Sequence, residues 1–233
     1  MPTNARLASR LGRGRWTRPI IRAAGRPRAA GLSSSYAPLL GDGARIIDIG
    51  AGTCGVAESL RRSGYSVVAV DVEDFSFVDD IEPVVYDGER LPFEAATFDA
   101  AVLCSVLHHV LDQRGLVAEA CRVGRRLIVI EDVHPTPAHR SVASFVDRLL
   151  GLEFDGAPHR YRSDAGWRAL FADAGLDVVG ARRWRSMGGL FHHVAYRLEP
   201  GPATGRAGSR SREPAPRRGA MTGAGDRPGA GSR

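Results

Sequence analysis

The 233-residue sequence contains no lysine, so arginine supplies all 32 of its strongly basic side chains. This absence excludes enzymes that need a Schiff-base lysine or the lysine of a phosphate-binding P-loop. Cysteine is also scarce, since Cys54, Cys104 and Cys121 are an odd number without CxxC spacing. We therefore expect no disulfide framework, no zinc site or other bound metal, and a reducing compartment.

Long hydrophobic runs are missing as well. Residues 100–103 form one of the longest apolar runs, far shorter than the roughly 20 residues that cross a bilayer. No apolar core follows the early arginines, as it would in a secretory signal. The sequence thus predicts a cytoplasmic protein that neither spans a membrane nor is secreted.

Acidic residues are absent from the first 40 positions, which contain eight arginines. Residues 200–233 contain seven arginines and two acids, whereas residues 41–199 contain 17 arginines and 24 acids. The formal net charge of +6 therefore reflects basic ends around an acidic body. Basic ends favour non-specific contacts with nucleic acid, while an acidic body argues against a dedicated nucleic-acid-binding protein.

Composition divides the chain into three segments. Residues 200–233 are rich in Gly, Ala, Arg and Pro with almost no large apolar side chain, which predicts a disordered tail. Residues 1–40 are predicted to be partly helical or disordered, because a basic amphipathic pattern is interrupted at Gly25, Pro27 and Gly31. This segment is typical of either an organelle transit peptide or an arginine-biased bacterial tail. We place the folded domain at residues 41–199.

Short apolar runs alternate with helical patterns inside that domain. Apolar runs of this length, separated by helices, indicate a parallel sheet covered on both faces. The predicted fold class is therefore a doubly wound α/β domain. Strands are predicted at residues 45–49, 66–70, 83–86, 98–103 and 126–130, and helices at residues 56–62 and 116–122.

The most informative motif is the glycine-rich segment at residues 48–55, between the first predicted strand and the first predicted helix. Its glycines allow the backbone to approach a ligand closely, and the N-terminus of the following helix presents free N–H groups. About twenty residues later Asp71 ends the second strand, where a carboxylate can accept both hydroxyls of a ribose. On this spacing alone, an NAD(P)-dependent oxidoreductase remains an open alternative.

Further segments follow in a characteristic order. Asp48 stands two residues before the first glycine, residues 87–93 read DGERLPF, residues 98–99 open the fourth strand, and residues 106–110 read VLHHV. With this combination the chain resembles class I S-adenosylmethionine-dependent methyltransferases, especially the group of small-molecule and quinone-biosynthesis enzymes. The resemblance extends from about residue 44 to residue 132. It implies a mostly parallel seven-stranded Rossmann-like sheet, with residues 176–179 and 193–198 as its last strands and the final strand antiparallel.

The resemblance also implies the residues that bind S-adenosylmethionine, all near the carboxyl ends of the first four strands. Asp48 belongs to the motif, Gly50 and Gly52 would line the methionine portion and sugar, and Asp71 would hold the ribose hydroxyls. Asp87 would meet the adenine amino group, with Gly88 beside the ring, while Cys104 and Ser105 would lie near the sulfonium.

Two of these positions carry alternatives. Asp87 fits equally well as a turn residue before Gly88. Many relatives have glycine where Cys54 stands, so we expect a weakened cofactor contact at that point.

The expected reaction is methyl transfer to a small-molecule acceptor, with positioning of two bound partners as the main contribution of the enzyme. If the acceptor is a hydroxyl, a histidine suits proton removal at neutral pH. We favour His134, because it directly follows the fifth strand, and name His109 and His159 as the next candidates. A solvated histidine at a strand end is the competing interpretation. An RNA-binding or RNA-modifying protein that uses its basic ends is the alternative from a different class.

Overall fold

A computed structural model describes residues 17–134, 136, 139, 141–142 and 160–201, and the structural statements below concern these residues. The predictions for residues 1–16, for His159 and for residues 202–233 lie outside the described part.

Strands and helices alternate as the sequence predicts, with longer strands near the C-terminus. The helices are α1 (Thr17–Tyr36), α2 (Gly55–Arg62), α3 (Gln113–Val123) and α4 (Asp164–Asp173). The strands are β1 (Arg45–Ile49), β2 (Ser66–Asp71), β3 (Val84–Val85), β4 (Ala100–Cys104), β5 (Leu127–Asp132), β6 (Leu176–Ser186) and β7 (Phe191–Pro200).

The seven strands form one sheet in the order β3-β2-β1-β4-β5-β7-β6. Strands β1 to β5 pair in parallel, and β7 lies antiparallel between β5 and β6. The doubly wound α/β fold with an antiparallel final strand is therefore confirmed. Strands β6 and β7 are longer than their apolar segments because each supplies the backbone hydrogen-bond partners of the other in a hairpin.

Both faces of the central strands β1, β4 and β5 are buried, as their apolar sequences require. Helices α3 and α4 cover one face, with Trp167 and Phe171 of α4 fully buried against the strands. Helices α1 and α2 cover the other face, with Tyr36 fully buried among residues of β1, β4 and β5. No helix in these ranges is both long enough and apolar enough to cross a bilayer.

Helix α1 differs from the sequence prediction in two respects. It continues through Gly25, Pro27 and Gly31 without interruption. It also packs on the sheet, so the folded body begins before residue 41. The physical reason is tertiary contact: Tyr36 packs against the α2 side of the sheet and Leu32 is also buried, which offsets the weak helix propensity of glycine and proline.

Glu58 of α2 anchors this helix through three arginines. Its carboxylate accepts hydrogen bonds from Arg22 (2.7 Å) and Arg26 (2.9 Å) of α1, and from Arg62 one turn along α2 (3.1 Å). The hydrogen bond from Arg22 is the main cause that lowers the pKa of Glu58 to about 2, against an opposing effect of burial. Residues 36 positions apart in the sequence are thereby joined.

Glu58→Gln is expected to destabilise the fold by about 1–3 kcal/mol at pH 7, because it leaves buried charge-assisted hydrogen bonds incomplete. The lowered pKa means that the ionised carboxylate stabilises the fold above its unfolded pKa, and that this contribution is lost as the pH falls from about 4.5 towards 2. Urea denaturation at pH 7 and pH 3 should therefore show a smaller deficit at pH 3. The exposed Glu82→Gln serves as the matched control, and an equal deficit at both pH values would contradict the anchoring role.

Candidate functional site

The glycine loop after β1 is held close to the neighbouring strands. The N–H groups of Gly50 and Ala51 both donate to the carbonyl of Val70, at 2.8 and 3.1 Å. Gly50 has a φ of +74°, and a Cβ added there would lie 2.6 Å from Cγ2 of Val106. The loop therefore needs glycine at this position for conformation and for space, and it forms a tight backbone cradle at the carboxyl edge of the sheet.

Asp71 ends β2 and faces this loop. One carboxylate oxygen accepts from the N–H of Gly52 and the other from the N–H of Val72, both at 2.7 Å. Burial raises the pKa of Asp71, while these backbone hydrogen bonds oppose that shift. Each carboxylate oxygen has more than one lone pair, so Asp71 retains acceptor capacity for a hydroxyl pair such as that of a ribose.

Asp48 lies in β1 directly beneath the loop and is almost fully buried. Its Oδ2 has no hydrogen-bond partner among the residues that the structure describes. Burial raises the pKa of Asp48 to about 7, and the nearby charge of Asp71 adds to the effect. A buried carboxyl with an unused acceptor fits a ligand that brings a positive charge or a hydrogen-bond donor to this point.

Asp87 performs the turn role that the sequence left open. It is exposed, and its Oδ1 accepts from the N–H groups of Glu89 (2.8 Å) and Arg90 (3.0 Å), which lowers the pKa of its carboxyl. Gly88 has a φ of +87° and approaches Val72, whose side chain is 56% exposed. Sequence reasoning missed Val72; its only local sign is an apolar residue directly after the acid that ends a buried strand. Together Gly88 and Val72 offer an uncharged surface beside Asp71.

Cys104 ends β4 and pairs in register with Ile130 of β5. Burial raises the pKa of the Cys104 thiol well above its ordinary value, and the charges of Asp48 and Glu131 add to this effect. The thiol is therefore neutral at physiological pH and presents a small, uncharged surface at the end of β4. The next residue, Ser105, has a φ of +58° and donates its N–H to Ile130 at 2.8 Å, which turns the chain away from the strand.

Cys54 stands in the glycine loop, directly before Gly55. It is fully buried, precedes α2 and has a φ of +60°, a conformation that glycine adopts without strain. Burial raises the pKa of its thiol to about 12. A cysteine in this left-handed conformation costs about 1–2 kcal/mol of backbone strain relative to glycine. It places a neutral, buried thiol at this point of the loop.

The two histidines after β4 differ in burial and in their contacts. His108 is buried, and its Nδ1 lies 2.7 Å from Glu131, whose other carboxylate oxygen accepts the N–H of Leu107 at 2.7 Å. This arrangement fixes the short helical turn after β4. His109 is exposed, with its ring centroid 4.0 Å from that of His108.

His134 stands two residues after the end of β5 and is half-buried. Its ring meets Tyr161 edge-on at a centroid distance of 5.1 Å and lies 5.7 Å from the ring of His139. Tyr161 in turn stacks on His108 at 4.7 Å. The chain segment around residue 161 thus packs beside the loop after β4. In the described ranges, no cluster of three or more His, Cys, Asp or Glu side chains could hold a metal ion.

Asp48→Asn is expected to change how stability depends on pH. Because the folded-state pKa of Asp48 is raised, the folded protein keeps this proton more tightly, and its stability falls as pH rises from about 4 to 7. The asparagine variant lacks this slope, so its stability relative to wild type should rise by at most about 4 kcal/mol across the window. Chemical denaturation from pH 4 to 8, with the exposed Asp80→Asn as control, measures the effect. Parallel profiles for wild type and Asp48→Asn would contradict the buried, uncompensated state of Asp48.

The chain is similar to known proteins in sequence and in fold. Residues 47–127, which include the glycine loop and the turn after β4, match the family described as "Methyltransferase domain". The demethylmenaquinone methyltransferase of Mycolicibacterium paratuberculosis is 30% identical over 182 residues, which cover 68% of this chain and 78% of that protein. The chain belongs to the S-adenosylmethionine-dependent methyltransferases.

Other members of this methyltransferase family match over shorter segments. The demethylmenaquinone methyltransferase of Mycobacterium sp. strain KMS is 33% identical over 118 residues, which cover 48% of this chain and 50% of that protein. The ubiquinone biosynthesis O-methyltransferase of Methylocella silvestris is 37% identical over 132 residues, covering 51% and 49% of the two chains. The chain therefore spans about half the length of several curated methyltransferases that it matches.

Solved methyltransferase structures share the fold. Magnesium protoporphyrin IX methyltransferase from Synechocystis PCC 6803, crystallised with S-adenosylhomocysteine (SAH), superposes with a TM-score of 0.56 at 15% identity. The match covers 85% of this chain and 95% of that chain. At this identity the likeness concerns the architecture of the methyltransferase sheet and its helices.

Proposed function

We propose that this protein transfers a methyl group from S-adenosylmethionine to a small-molecule acceptor. The observation that carries the proposal is the carboxyl edge of β1 and β2. There Asp71 ties the glycine loop to β2, while Asp48 keeps an unused buried acceptor beneath the loop. When bound, S-adenosylmethionine supplies an electrophilic methyl group on a positively charged sulfur.

The chain's own residues then bind and orient the two partners. Asp71 accepts hydrogen bonds from the ribose hydroxyls of S-adenosylmethionine. Gly50 and Gly52 line its methionine portion and its sugar. Asp48 offers its carboxylate to a cationic or donating group in the loop. The adenine end is held by Gly88, and by Asp87 through its second carboxylate oxygen. Cys104 forms a neutral wall near the sulfur. These assignments are supported by the common location of the residues at one sheet edge.

The acceptor is, by our proposal, a small aromatic molecule with a hydroxyl group. Support for a hydroxyl acceptor comes from the relative named as an O-methyltransferase of ubiquinone biosynthesis. The relatives named as demethylmenaquinone methyltransferases support a quinone-type acceptor without naming the atom that is methylated. His134 and His109 stay the sequence-based candidates for removing the proton of such a hydroxyl.

Titration calorimetry with SAH tests the cofactor assignment, and NADH and NADPH are the matched ligands for the rival oxidoreductase. We expect binding of SAH at micromolar concentration or below, and stabilisation against heat that rises with SAH concentration. Tighter binding of NADH or NADPH than of SAH would overturn the proposal in favour of an oxidoreductase on the same fold.

We further propose a cytoplasmic location and no specific nucleic-acid partner. The three cysteines without CxxC spacing support the reducing compartment. The acidic charge of residues 41–199 argues against a specific nucleic-acid partner, because an acidic surface repels the phosphate backbone. RNA binding measured over a salt titration should vanish when residues 200–233 and the arginines of residues 1–16 are removed. Sequence-dependent RNA binding by the truncated protein would contradict it.

A further inference from the structure

A short segment just before α4, residues 160–162, is fastened to the turn after β4. The N–H of Arg160 donates to the carbonyl of His108 at 2.7 Å. Gln113, the first residue of α3, is only 4% exposed, and its side-chain amide donates to a carbonyl of the turn at 2.8 Å and to that of Arg160 at 3.3 Å. The amide oxygen accepts from Nε of Arg162 at 2.8 Å. Both ends of this buried amide are thus engaged, and they hold the segment in place.

Tyr161, at the centre of this segment, has a ring in a fixed position. It stacks on the ring of His108 at a centroid distance of 4.7 Å and an interplanar angle of 17°. His108 is itself held by the fully buried Glu131, whose carboxylate lies 2.7 Å from its Nδ1. The ring of His134 stands edge-on to Tyr161 at 5.1 Å. Tyr161 is half-buried, so part of it stays accessible beside the ends of β4 and β5.

The order of the strands places Tyr161 next to the cofactor residues. The sheet order reverses between β1 and β4, with β2 and β3 on one side and β5 on the other. Open α/β sheets bind ligands in the crevice at this point, outside the carboxyl ends of the strands. The glycine loop and Asp71 stand at the ends of β1 and β2. The ends of β4 and β5, where Tyr161 lies, therefore remain for the acceptor.

Direct contact joins the two halves of this crevice. Val106, two residues before His108, packs against the glycine loop, because a Cβ added to Gly50 would lie only 2.6 Å from Cγ2 of Val106. The N–H of Ser105 donates to a carbonyl of β5 at 2.8 Å. The turn on which Tyr161 stacks therefore borders the cofactor loop on one side and β5 on the other.

We propose that Tyr161 is the side chain on which the aromatic ring of the acceptor packs, and that Gln113 positions it. The inference rests on the proposed methyltransferase function and names the residues that select an aromatic acceptor. Aromatic pairs attract each other in offset-stacked and edge-to-face arrangements, beyond the burial of their apolar area. Because Gln113 and His108 hold Tyr161 before the acceptor binds, little further ordering of the protein opposes binding. A ring fixed in this way limits the orientations of the acceptor beside the cofactor.

Binding of aromatic alcohols and their saturated counterparts to the SAH-saturated protein tests the proposal. The pairs are phenol with cyclohexanol and 2-naphthol with decahydro-2-naphthol, and titrations followed by NMR should give tighter binding for the aromatic member of each pair. Tyr161→Leu keeps apolar volume but loses the ring. It should therefore weaken binding of 2-naphthol about fivefold or more and change binding of decahydro-2-naphthol by less than about twofold. Tyr161→Phe keeps the ring and should bind 2-naphthol within about twofold of wild type.

Tyr65→Leu is the matched control, since Tyr65 is also half-buried but stands directly before β2, at the amino edge of the sheet. It should leave binding of 2-naphthol unchanged. Gln113→Ala should weaken 2-naphthol binding about as much as Tyr161→Leu, and the double variant should be little weaker, because both changes act through one ring. Arg162→Ala removes a single hydrogen bond to the same amide and should weaken 2-naphthol binding about threefold. SAH affinity should stay within about twofold of wild type in all of these variants.

Three results would overturn the proposal. One is a Tyr161→Leu variant that loses affinity equally for aromatic and saturated alcohols, as a merely structural role would produce. Another is an SAH-saturated wild-type protein that binds 2-naphthol no more tightly than decahydro-2-naphthol. The third is unchanged 2-naphthol binding in Tyr161→Leu. Failure of the wild-type protein to bind SAH would instead reject the proposed function, and this inference with it.

Discussion

Asp71→Ala is expected to weaken SAH binding by about 1–3 kcal/mol, which is roughly 5- to 150-fold in the dissociation constant. The carboxylate is nearly buried at the end of β2, and both of its oxygens already organise the backbone of the glycine loop and of Val72. Its removal takes away the acceptor for the ribose hydroxyls and leaves the N–H of Gly52 without its partner. Titration calorimetry at pH 7 measures the loss.

Two further variants separate charge from shape at this position. Asp71→Asn keeps one acceptor oxygen of similar size, so it should retain the loop and lose only part of the affinity. Asp87→Ala should have a smaller effect than Asp71→Ala, because Asp87 is exposed and its Oδ1 is engaged with Glu89 and Arg90. Unchanged affinity in Asp71→Ala would remove this residue from the cofactor site.

Gly50→Ala is expected to destabilise the protein by about 2–4 kcal/mol and to abolish measurable SAH binding at micromolar ligand. Two costs add at this position. A residue with a side chain is strained at a φ of +74°, and the new Cβ would lie 2.6 and 2.9 Å from the two methyl carbons of Val106. Either the loop after β1 or the turn after β4 must move, and both border the cofactor. Urea denaturation and calorimetry measure the two effects.

The chain offers a control for each cost. Gly64→Ala has a φ of +91° with open space around the new Cβ, so it reports the conformational strain without a clash. The double variant Gly50→Ala with Val106→Ala removes both clashing methyl groups and should recover part of the lost stability. A double variant no more stable than Gly50→Ala would show that the contact with Val106 does not limit this position.

The order of strands and helices was predictable because each of these elements has a recognisable local sequence pattern. Strands such as β1 and β5 are buried on both faces, so their apolar runs stand out, and the glycine loop marks the first strand-to-helix turn. Helix α1 was harder, since Gly25, Pro27 and Gly31 weaken the local pattern. Its continuity depends on Glu58, which lies more than thirty positions away from Arg22 and Arg26.

In the candidate site, too, residues with a local sequence pattern were predictable and contacts between distant residues were not. Asp71 and the glycine loop were predictable because both follow from the ends of buried strands. The contact between His108 and Glu131 was not, because it depends on the pairing of β4 with β5, which brings together residues 23 positions apart. Side-chain pairs created by sheet register are invisible to a reading of local periodicity.

The position of β7 has a consequence for how the protein is made. This strand is among the last described elements of the chain, yet it lies inside the sheet and covers the outer edge of β5. Until it is synthesised, a nascent chain that has already assembled β1 to β5 exposes an unpaired strand edge, the kind of surface that pairs with other chains. The ribosome must therefore release residues 191–200 before the growing domain loses its tendency to aggregate.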